Sequence, residues 1–446
     1  MAMTDDIPVH LLGNGRPTQE ELTLTDLVVR GSLPAELDGR YLRNGANPIT
    51  GMSDHPFLGD GMVHGVRLRD GKAEWYRNRY VQTPFIADPS LDIMDPAAMM
   101  NMNCSKANTH VVGHAGKYLA LEEGHFPYVL DGNLVTVGPT DFGGVLKGAF
   151  TAHPKICPIT GELLAFGYGQ FPPYLTYLRV AADGTMVQRE EITVTGSTMM
   201  HDFNVTEHYV VFMDLPVVFD LDLAMKGEMP FQWSETYPPR LGVMPRTGTD
   251  ADVRWFDVNP CYVFHPMNAY EDGHKIVLDV ARYEHMWRGG TMDFAVPMLW
   301  RWTIDTVTGK VAEEQVDDRS AEFPRVSDAV VGRKHRFGYE MSMGEAGFGE
   351  VGEGAILKYD REAGTRTSIE LGMGRVSGEV VFAPAENAKS EDDGYLMTFV
   401  YDAPSDTSEF VVYDAATMSA DPVATVALPR VPFGFHGSWV PSTVAD

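Results

Sequence analysis

The sequence contains few cysteines, and none of them in a paired pattern. Its three cysteines, Cys104, Cys157 and Cys261, are far apart, and no Cys-x-x-Cys spacing occurs. This excludes a disulfide framework and a thiolate zinc site of the usual spacing, and it is typical of a reducing compartment. We therefore expect a cytoplasmic protein. The polar, acidic start at Met1–Pro8 favours the same expectation, because it lacks the basic and apolar parts of a signal peptide.

Basic residues are also scarce. The chain has 35 lysines and arginines against 62 aspartates and glutamates, which gives a formal net charge of −27. Nucleic-acid binding is excluded as a function class, because a phosphate backbone requires a positive protein face. The charge is unfavourable at an anionic membrane as well, and no run of about 20 apolar residues is present to span a bilayer.

Several common catalytic motifs are missing. The sequence has no G-x-S-x-G elbow, no His-Glu-x-x-His pair and no phosphate-binding P-loop. Residues 347–352 match the dinucleotide motif G-x-G-x-x-G, but the residues that follow predict a strand instead of the required helix, so we interpret them as a glycine-rich loop. His110 and His114 are spaced for a metal on a helix, yet their neighbours predict a strand, where they would lie about 13 Å apart.

Short β-rich runs separated by turn residues make up much of the chain. Pairs such as Asp70-Gly71, Asp183-Gly184 and Asp272-Gly273 are strong hairpin signals. Repeated antiparallel sheets are therefore expected, with strands in the runs 118–121, 163–168, 209–213, 275–280, 355–359 and 395–401.

The length of 446 residues permits a large repeat fold. A propeller blade takes roughly 40–50 residues, so seven blades would use about 315 and leave about 130 for loops or a cap. No Trp-Asp pair repeats from blade to blade, so six blades or a pair of sandwiches fit this arithmetic too. Two segments rich in methionine or tryptophan, 91–102 and 286–302, do not alternate like strands. From their residues alone we expect ordinary core packing, with cap elements around a hydrophobic entrance as the alternative.

Four histidines lie in short patterned segments that are widely separated in the sequence. The segments are Ala-His153-Pro, Met-His201-Asp, Phe-His265-Pro and Phe-His436-Gly. The separations between successive histidines in the sequence are too long for one local metal-binding loop. A metal site made of these histidines would therefore have to be assembled by the fold. A single histidine is more often a surface or core residue than a ligand. Rigid prolines and glycines beside these four, and the aromatic residues Phe264, Phe435 and Trp439, favour a shared site.

Read together, these segments resemble the carotenoid cleavage oxygenases. The similarity also includes Gly39–Pro48, Gly59–His64 and Asn78–Thr83, and it extends over nearly the whole chain. Members of this family are non-haem iron enzymes that split an alkene with dioxygen into two carbonyl products. The resemblance implies an all-β fold, a seven-bladed β-propeller with a helical and loop dome over the iron-bearing face. A single domain would then span residues 1–446, with the dome including 85–105 and 286–302.

The resemblance also implies the residues of the site. His153, His201, His265 and His436 match the ligands of Fe²⁺. Glu123, Glu322 and Glu379 match glutamates that accept hydrogen bonds from the ligand imidazoles. Imidazole suits iron, and a carboxylate on the second ring N–H fixes the tautomer and raises the basicity of the ligand. His64 does not match a ligand position and is expected to be structural.

The resemblance implies only the class of substrate, an apolar small-molecule alkene that reacts with O₂. Lignostilbene-cleaving relatives carry a lysine just before the first of these glutamates, whereas this chain has Glu122, and Lys106 does not stand in that motif position. This departure favours an apocarotenoid or carotenoid. The alternatives are a stilbene or phenylpropenoid such as resveratrol or isoeugenol, and, in another class, a propeller that only binds or a related isomerohydrolase.

Partners are implied in the same way. A lipid-soluble substrate predicts peripheral membrane contact through an apolar patch at the tunnel mouth. No obligate protein partner is evident in the sequence.

Overall fold

A computed structural model describes residues 7–226, 228–290, 293, 295–342, 344 and 352–445. Three short α-helices occur in these residues, at Pro84–Ala87 (α1), Pro96–Met99 (α2) and Leu221–Met225 (α3). Four 3₁₀ helices occupy Val9–Leu11, Gly13–Gly15, Asp250–Asp252 and Asp328–Val330. None of these helices has the length and apolar character needed to cross a membrane.

Most of the described chain is β-strand. In chain order the strands are β1 (Thr23–Leu24), β2 (Val29–Gly31), β3 (Gly39–Arg43), β4 (Met62–Arg69), β5 (Lys72–Tyr80), β6 (His110–His114), β7 (Lys117–Leu121), β8 (Tyr128–Leu130), β9 (Thr136–Pro139), β10 (Lys155–Ile156), β11 (Leu163–Tyr168), β12 (Leu175–Val180), β13 (Met186–Glu191), β14 (Asn204–Val205), β15 (Tyr209–Asp214), β16 (Val217–Phe219), β17 (Phe231–Trp233), β18 (Arg240–Pro245), β19 (Arg254–Asp257), β20 (Tyr262–Asp272), β21 (Lys275–Tyr283), β22 (Met298–Asp305), β23 (Val311–Gln315), β24 (Glu322–Arg325), β25 (Phe337–Ser342), β26 (Ala355–Asp360), β27 (Thr365–Glu370), β28 (Arg375–Ser377), β29 (Val381–Pro384), β30 (Gly394–Asp402), β31 (Thr407–Asp414), β32 (Ala424–Leu428) and β33 (Gly437–Pro441).

These strands form the seven blades of a β-propeller, which confirms the expected fold. Blade 1 has the order β1-β5-β4-β3-β33, and blades 2 and 3 are β6 to β9 and β10 to β13. Blade 4 is β14-β15-β18-β19, and blades 5 and 6 are β20 to β23 and β24 to β27. Blade 7 has the order β2-β32-β31-β30-β28, with β29 also paired to β30, and β16 and β17 form a separate two-stranded ribbon.

Both ends of the described chain take part in closing the ring. The last strand, β33, pairs with β3 in blade 1, where Trp439 faces Tyr41. Near the start of the chain, β2 adds an outer strand to blade 7, where Val29 faces Val426. Circular closure of this kind leaves only short sheet edges, which protects the protein from edge-to-edge association.

Glycine turns connect neighbouring strands, as the sequence predicts. Gly71, Gly273 and Gly309 follow their partners Asp70, Asp272 and Thr308 and have φ angles of +70°, +62° and +75°. Glycine adopts such angles without the steric cost of a Cβ atom. All six predicted strand runs lie in strands of the structure, so local turn chemistry and β-rich composition were sufficient to locate them.

The expected cap segments differ in structure. The segment 85–105 contains most of α1 and all of α2. The segment 286–302 was expected to avoid strand structure, but its last five residues belong to β22, which pairs with both β21 and β23. Trp302 is fully buried there, while Trp300 lies under the Arg282 guanidinium at 4.3 Å. Apolar residues at three successive positions, 298–300, hide the alternation that normally reveals a strand.

Most of the glycine-rich run, 347–351, lies outside the described residues. The strand expected after it is present as β26, which begins at Ala355.

Candidate metal centre

The four patterned histidines come from four different blades. His153 and His201 stand just before β10 and β14, His265 lies within β20, and His436 stands just before β33. Each of these strands is an edge strand of its sheet. The corresponding edges of blades 1, 3, 4 and 5 therefore face one another, and the histidines meet although up to 171 residues separate neighbours in the sequence, from His265 to His436 (436 − 265).

The imidazole rings converge through their Nε2 atoms. The Nε2 atom of His201 lies 3.0 Å from Nε2 of His153 and 3.1 Å from Nε2 of His265. His436 completes the group, whose four nitrogen ligand atoms all lie within 4.8 Å of one another, and all four residues are buried. In the part of the chain that the structure describes, this is the one group of histidine, cysteine and acidic side chains found to be arranged for a metal ion.

These distances fit a bound metal ion. Two nitrogen atoms about 2.1 Å from one ion and at right angles to each other would lie about 3.0 Å apart, close to the observed separations. Burial lowers the pKa of His153 and His436 well below the usual histidine value, so both rings are neutral and carry a free lone pair. Converging lone pairs repel one another unless a cation or a shared proton lies between them. The four buried histidines could therefore hold a metal ion.

Carboxylates contact the opposite nitrogen of three of the rings. Nδ1 of His265 lies 2.7 Å from Glu322, and Nδ1 of His436 lies 3.0 Å from Glu379. Nδ1 of His201 is in ion-pair contact with Glu123. A carboxylate beside Nδ1 favours a proton on that nitrogen and leaves the Nε2 lone pair available at the centre, which is the arrangement a metal ligand needs.

The second oxygen of each carboxylate is also bound. Hydroxyl groups of Tyr168 and Tyr283 donate to Glu123 and Glu322 at 2.7 and 2.9 Å. The second oxygen of Glu379 accepts from the backbone N–H of Gly437 at 2.7 Å. Because both oxygens are engaged, the carboxylates are held in fixed orientations.

His153 differs from the other three, since within the described residues an aspartate, and no glutamate, lies beside its ring. Its Nδ1 atom lies 3.7 Å from the carboxylate of Asp202, which is buried and bound to Lys155 Nζ at 2.8 Å. The sequence reading overlooked Asp202, although it directly follows the ligand candidate His201. Its position beside His153 depends on the packing of blades 3 and 4, and a contact between blades leaves little signal in the sequence.

Two other buried histidines, His64 and His110, form hydrogen bonds with other protein groups and are not part of the four-histidine group. The Nδ1 atom of His64 lies 2.9 Å from the Tyr76 hydroxyl, away from the four-histidine group. His110 packs beside His153 and His436, and its Nδ1 atom lies 2.9 Å from the Ala152 carbonyl oxygen. His114 lies on β6 with His110, as expected.

A cavity of about 1700 Å³ extends from the histidines to exposed residues such as Met100 and Phe171. His201, His265 and His436 lie at its wall, and the ring of Phe264 packs edge-on against His201 with centroids 4.9 Å apart. Trp439, which was expected beside the site, packs instead in the core between blades 1 and 7. Aromatic residues contribute much of the cavity wall, including Phe57, Phe231, Phe264, Trp287 and Phe435.

Comparison with known proteins identifies the family. A family model described as retinal pigment epithelial membrane protein matches residues 15–441. The chain is also 42% identical to a carotenoid cleavage oxygenase of Mycobacterium tuberculosis, in an alignment that covers 97% of this chain and 98% of the relative. The chain belongs to the carotenoid cleavage oxygenase family.

Other members of the carotenoid cleavage oxygenase family are similar over the same extent. A carotenoid 9,10(9',10')-cleavage dioxygenase of Crocus sativus is 37% identical and covers 97% of this chain and 89% of that protein. The crystal structure of a lignostilbene dioxygenase of Pseudomonas brassicacearum is 30% identical with a TM-score of 0.89, covering 97% of this chain and 98% of that one. The crystal structure of a cobalt-substituted apocarotenoid oxygenase of Synechocystis is 28% identical with a TM-score of 0.86. The alignment covers 97% of this chain and 98% of that one.

Family membership, the propeller and the four-histidine group support one class of enzyme. The carotenoid cleavage oxygenase described here is an alkene-cleaving dioxygenase that acts on a small molecule together with O₂.

Proposed function

We propose that this enzyme holds iron(II) with His153, His201, His265 and His436, and that it cleaves a conjugated C=C bond of an apocarotenoid or carotenoid into two carbonyl products. The observation that carries the proposal is the convergence of the four histidine ligand atoms within 4.8 Å. Imidazole is a suitable ligand for iron, and a ligand set of four neutral rings leaves the ion its full charge. Iron(II) bound there would supply the activation of O₂.

The three glutamates are assigned the task of holding the ligand rings. Glu123, Glu322 and Glu379 keep a proton on Nδ1 of their histidines and fix the ring planes, which raises the basicity of the Nε2 atoms. Their negative charge also offsets part of the ion's charge without occupying a ligand position.

The cavity supports a long apolar substrate. Its volume of about 1700 Å³ exceeds the roughly 300–1,000 Å³ of pockets that bury a drug-sized ligand. Aromatic walls offer large apolar surfaces, which suit a conjugated chain and exclude water from it. A channel of this size leads from the exposed rim to the histidines, so an extended alkene could reach the centre with one end still near the rim.

A stilbene or phenylpropenoid is the second candidate substrate. The similarity to a lignostilbene dioxygenase structure favours it. Glu122, however, is not a free acceptor for a phenol. One of its oxygens lies 2.5 Å from Nδ1 of His125, and the other accepts from the backbone N–H groups of Glu123 and Gly124. A non-catalytic propeller is disfavoured because the histidines and their carboxylates are all in place.

Replacing one ligand tests the proposal. His265→Ala should lose bound iron(II), measured by metal analysis after anaerobic reconstitution, and should lose oxygen-dependent cleavage of an apocarotenal. His64→Gln is the control, because it changes a buried histidine that bonds only to Tyr76 among the described residues. Full cleavage by a metal-free His265→Ala protein would contradict the proposal.

Peripheral membrane contact is part of the same proposal. Met100, Phe171 and Val296 lie at the cavity rim and are 74%, 61% and 60% exposed. Exposed apolar side chains around a substrate entrance favour contact with a lipid surface. In flotation with vesicles of neutral lipid, the wild type should rise with the vesicles, and a Met100→Ser/Phe171→Ser variant should rise less. A wild type that stays at the bottom would refute membrane contact.

A further inference from the structure

One wall of the cavity carries a lysine that the proposed chemistry does not use. Lys106 lines the cavity and its side chain is only 13% exposed. Its Nζ atom lies 2.8 Å from the carboxylate of Asp60 and 3.9 Å from the ring centroid of Phe85. The other oxygen of Asp60 accepts from the backbone N–H of Ile49. The ammonium group is thus fixed in place at the wall by a carboxylate and an aromatic face.

Lys106 lines the same cavity as the candidate ligands His201, His265 and His436. Asn108, two residues further along the chain, donates to the Phe57 carbonyl oxygen at 2.8 Å. The ring of Phe57 packs edge-on against Phe435 at 5.7 Å, and Phe435 directly precedes His436. A molecule that fills this cavity can therefore contact the segment that carries Lys106 as well as the histidines.

An ammonium group has three N–H donors. Among the described residues, Asp60 is the side chain to which Lys106 Nζ donates a hydrogen bond. Its other N–H groups have no hydrogen-bond acceptor among the described residues, and Lys106 lines a cavity whose wall includes both aromatic and polar side chains. A pure hydrocarbon laid along this wall would remove water from the ammonium group and give no hydrogen bond in return, which is unfavourable.

The surrounding charges define which polar group would fit. Asp60 balances Lys106, and Glu122 is paired with His125 on the same cavity. With these carboxylates in place, the wall offers no net positive charge to a carboxylate or phosphate. A neutral oxygen acceptor, either hydroxyl or carbonyl, can take the free donors of Lys106 without repulsion from Asp60 and Glu122.

We infer that Lys106 is a specificity-determining residue that binds a neutral oxygen atom of the substrate, so that the enzyme acts on oxygenated alkenes in preference to hydrocarbons. This inference rests on the proposed function for the identity of the reaction, but the binding contact itself does not require turnover.

The test compares matched ligands under anaerobic conditions. Quenching of tryptophan fluorescence would report the affinity for an apocarotenoid with a ring hydroxyl and for its counterpart without it, since Trp287 lines the cavity. The wild type should prefer the hydroxylated ligand by about 10–100-fold, the range for a hydrogen bond to a charged group. Lys106→Met should reduce that preference to near unity, and Lys106→Arg should retain most of it.

A double variant, Lys106→Met/Asp60→Asn, avoids leaving an unpaired buried carboxylate and should also lose the preference. Equal affinity of the wild type for both ligands, or an unchanged preference in both methionine variants, would overturn the inference. A comparison of resveratrol with unsubstituted stilbene repeats the test for the second substrate class. If the preference behaves as expected but no ligand is cleaved in air, the proposed reaction fails while the role of Lys106 stands.

Discussion

Glu379 provides a quantitative test of how the candidate ligand histidines are held. Its side chain is buried, with one oxygen 3.0 Å from Nδ1 of His436 and the other 2.7 Å from the backbone nitrogen of Gly437. Arg325 lies 3.6 Å from the same carboxylate. Both oxygens therefore face donors, and the charge is partly balanced by a nearby cation.

Glu379→Gln keeps the shape of the side chain but changes its hydrogen bonding and its charge. The amide has one oxygen and one NH₂ group, so its NH₂ group must face either the His436 ring N–H or the Gly437 N–H. One hydrogen bond is lost and the negative charge is removed. Loss of such a supporting carboxylate typically reduces metal affinity or activity by about 10–100-fold, which corresponds to about 1.4–2.8 kcal/mol.

Competition with a metal chelator would measure the iron(II) affinity of the variant and the wild type. Glu340→Gln is the matched control, because it makes the same change at a fully buried glutamate in blade 6. Iron affinity should fall for Glu379→Gln and stay unchanged for Glu340→Gln. Equal affinity of Glu379→Gln and the wild type would refute the reasoning that the carboxylate tunes the ligand.

Two further predictions concern stability. Asp279 is fully buried and forms ion pairs with Arg301 at 2.9 Å and Arg361 at 3.1 Å, so Asp279→Ala should lower the free energy of unfolding in urea by about 3–5 kcal/mol. Glu235→Ala, which removes an exposed ion pair with Arg288, should leave the free energy of unfolding nearly unchanged. Burial raises the pKa of Glu340, so the folded state keeps a proton that the unfolded state releases above about pH 4.3. The stability of the wild type therefore falls as pH rises past that value, whereas Glu340→Gln has no such proton to lose. The difference between the melting temperatures of Glu340→Gln and the wild type should shift in favour of the variant as pH rises. Melting temperatures that change in parallel with pH would contradict this.

The strands and their turns were predictable because the signals are local. An Asp-Gly or Thr-Gly pair and a β-rich run report on neighbouring residues, and β4 with β5 or β20 with β21 follow from them directly. The number of blades was not fixed by the length, since six blades would fit the same arithmetic. The family resemblance supplied the number seven, and the similarity to solved structures confirms it.

The residues of the candidate site could be proposed from family motifs, and their roles as metal ligands and supporting carboxylates stay predictions. The structure brings these histidines and glutamates together. Contacts between residues that are far apart in the sequence had no motif by which they could be predicted. Lys106 and Asp60 are 46 positions apart in the sequence, and Asp202 reaches His153 from the next blade. Glu122 could be read only as an unpaired acid, because its partner His125 is not recognisable as such until the loop is folded. The cytoplasmic location stays a prediction.

The most direct test of the account is product formation by the iron(II)-reconstituted enzyme with and without oxygen. The protein would be reconstituted anaerobically and divided between air and argon, with an apocarotenal, resveratrol and isoeugenol as substrates and mass spectrometry as the readout. The account predicts two carbonyl fragments from the apocarotenal in air and none under argon. Fragments only from the small aromatic alkenes would establish the second substrate class, and no oxygen-dependent fragment from any of them would contradict the central claim.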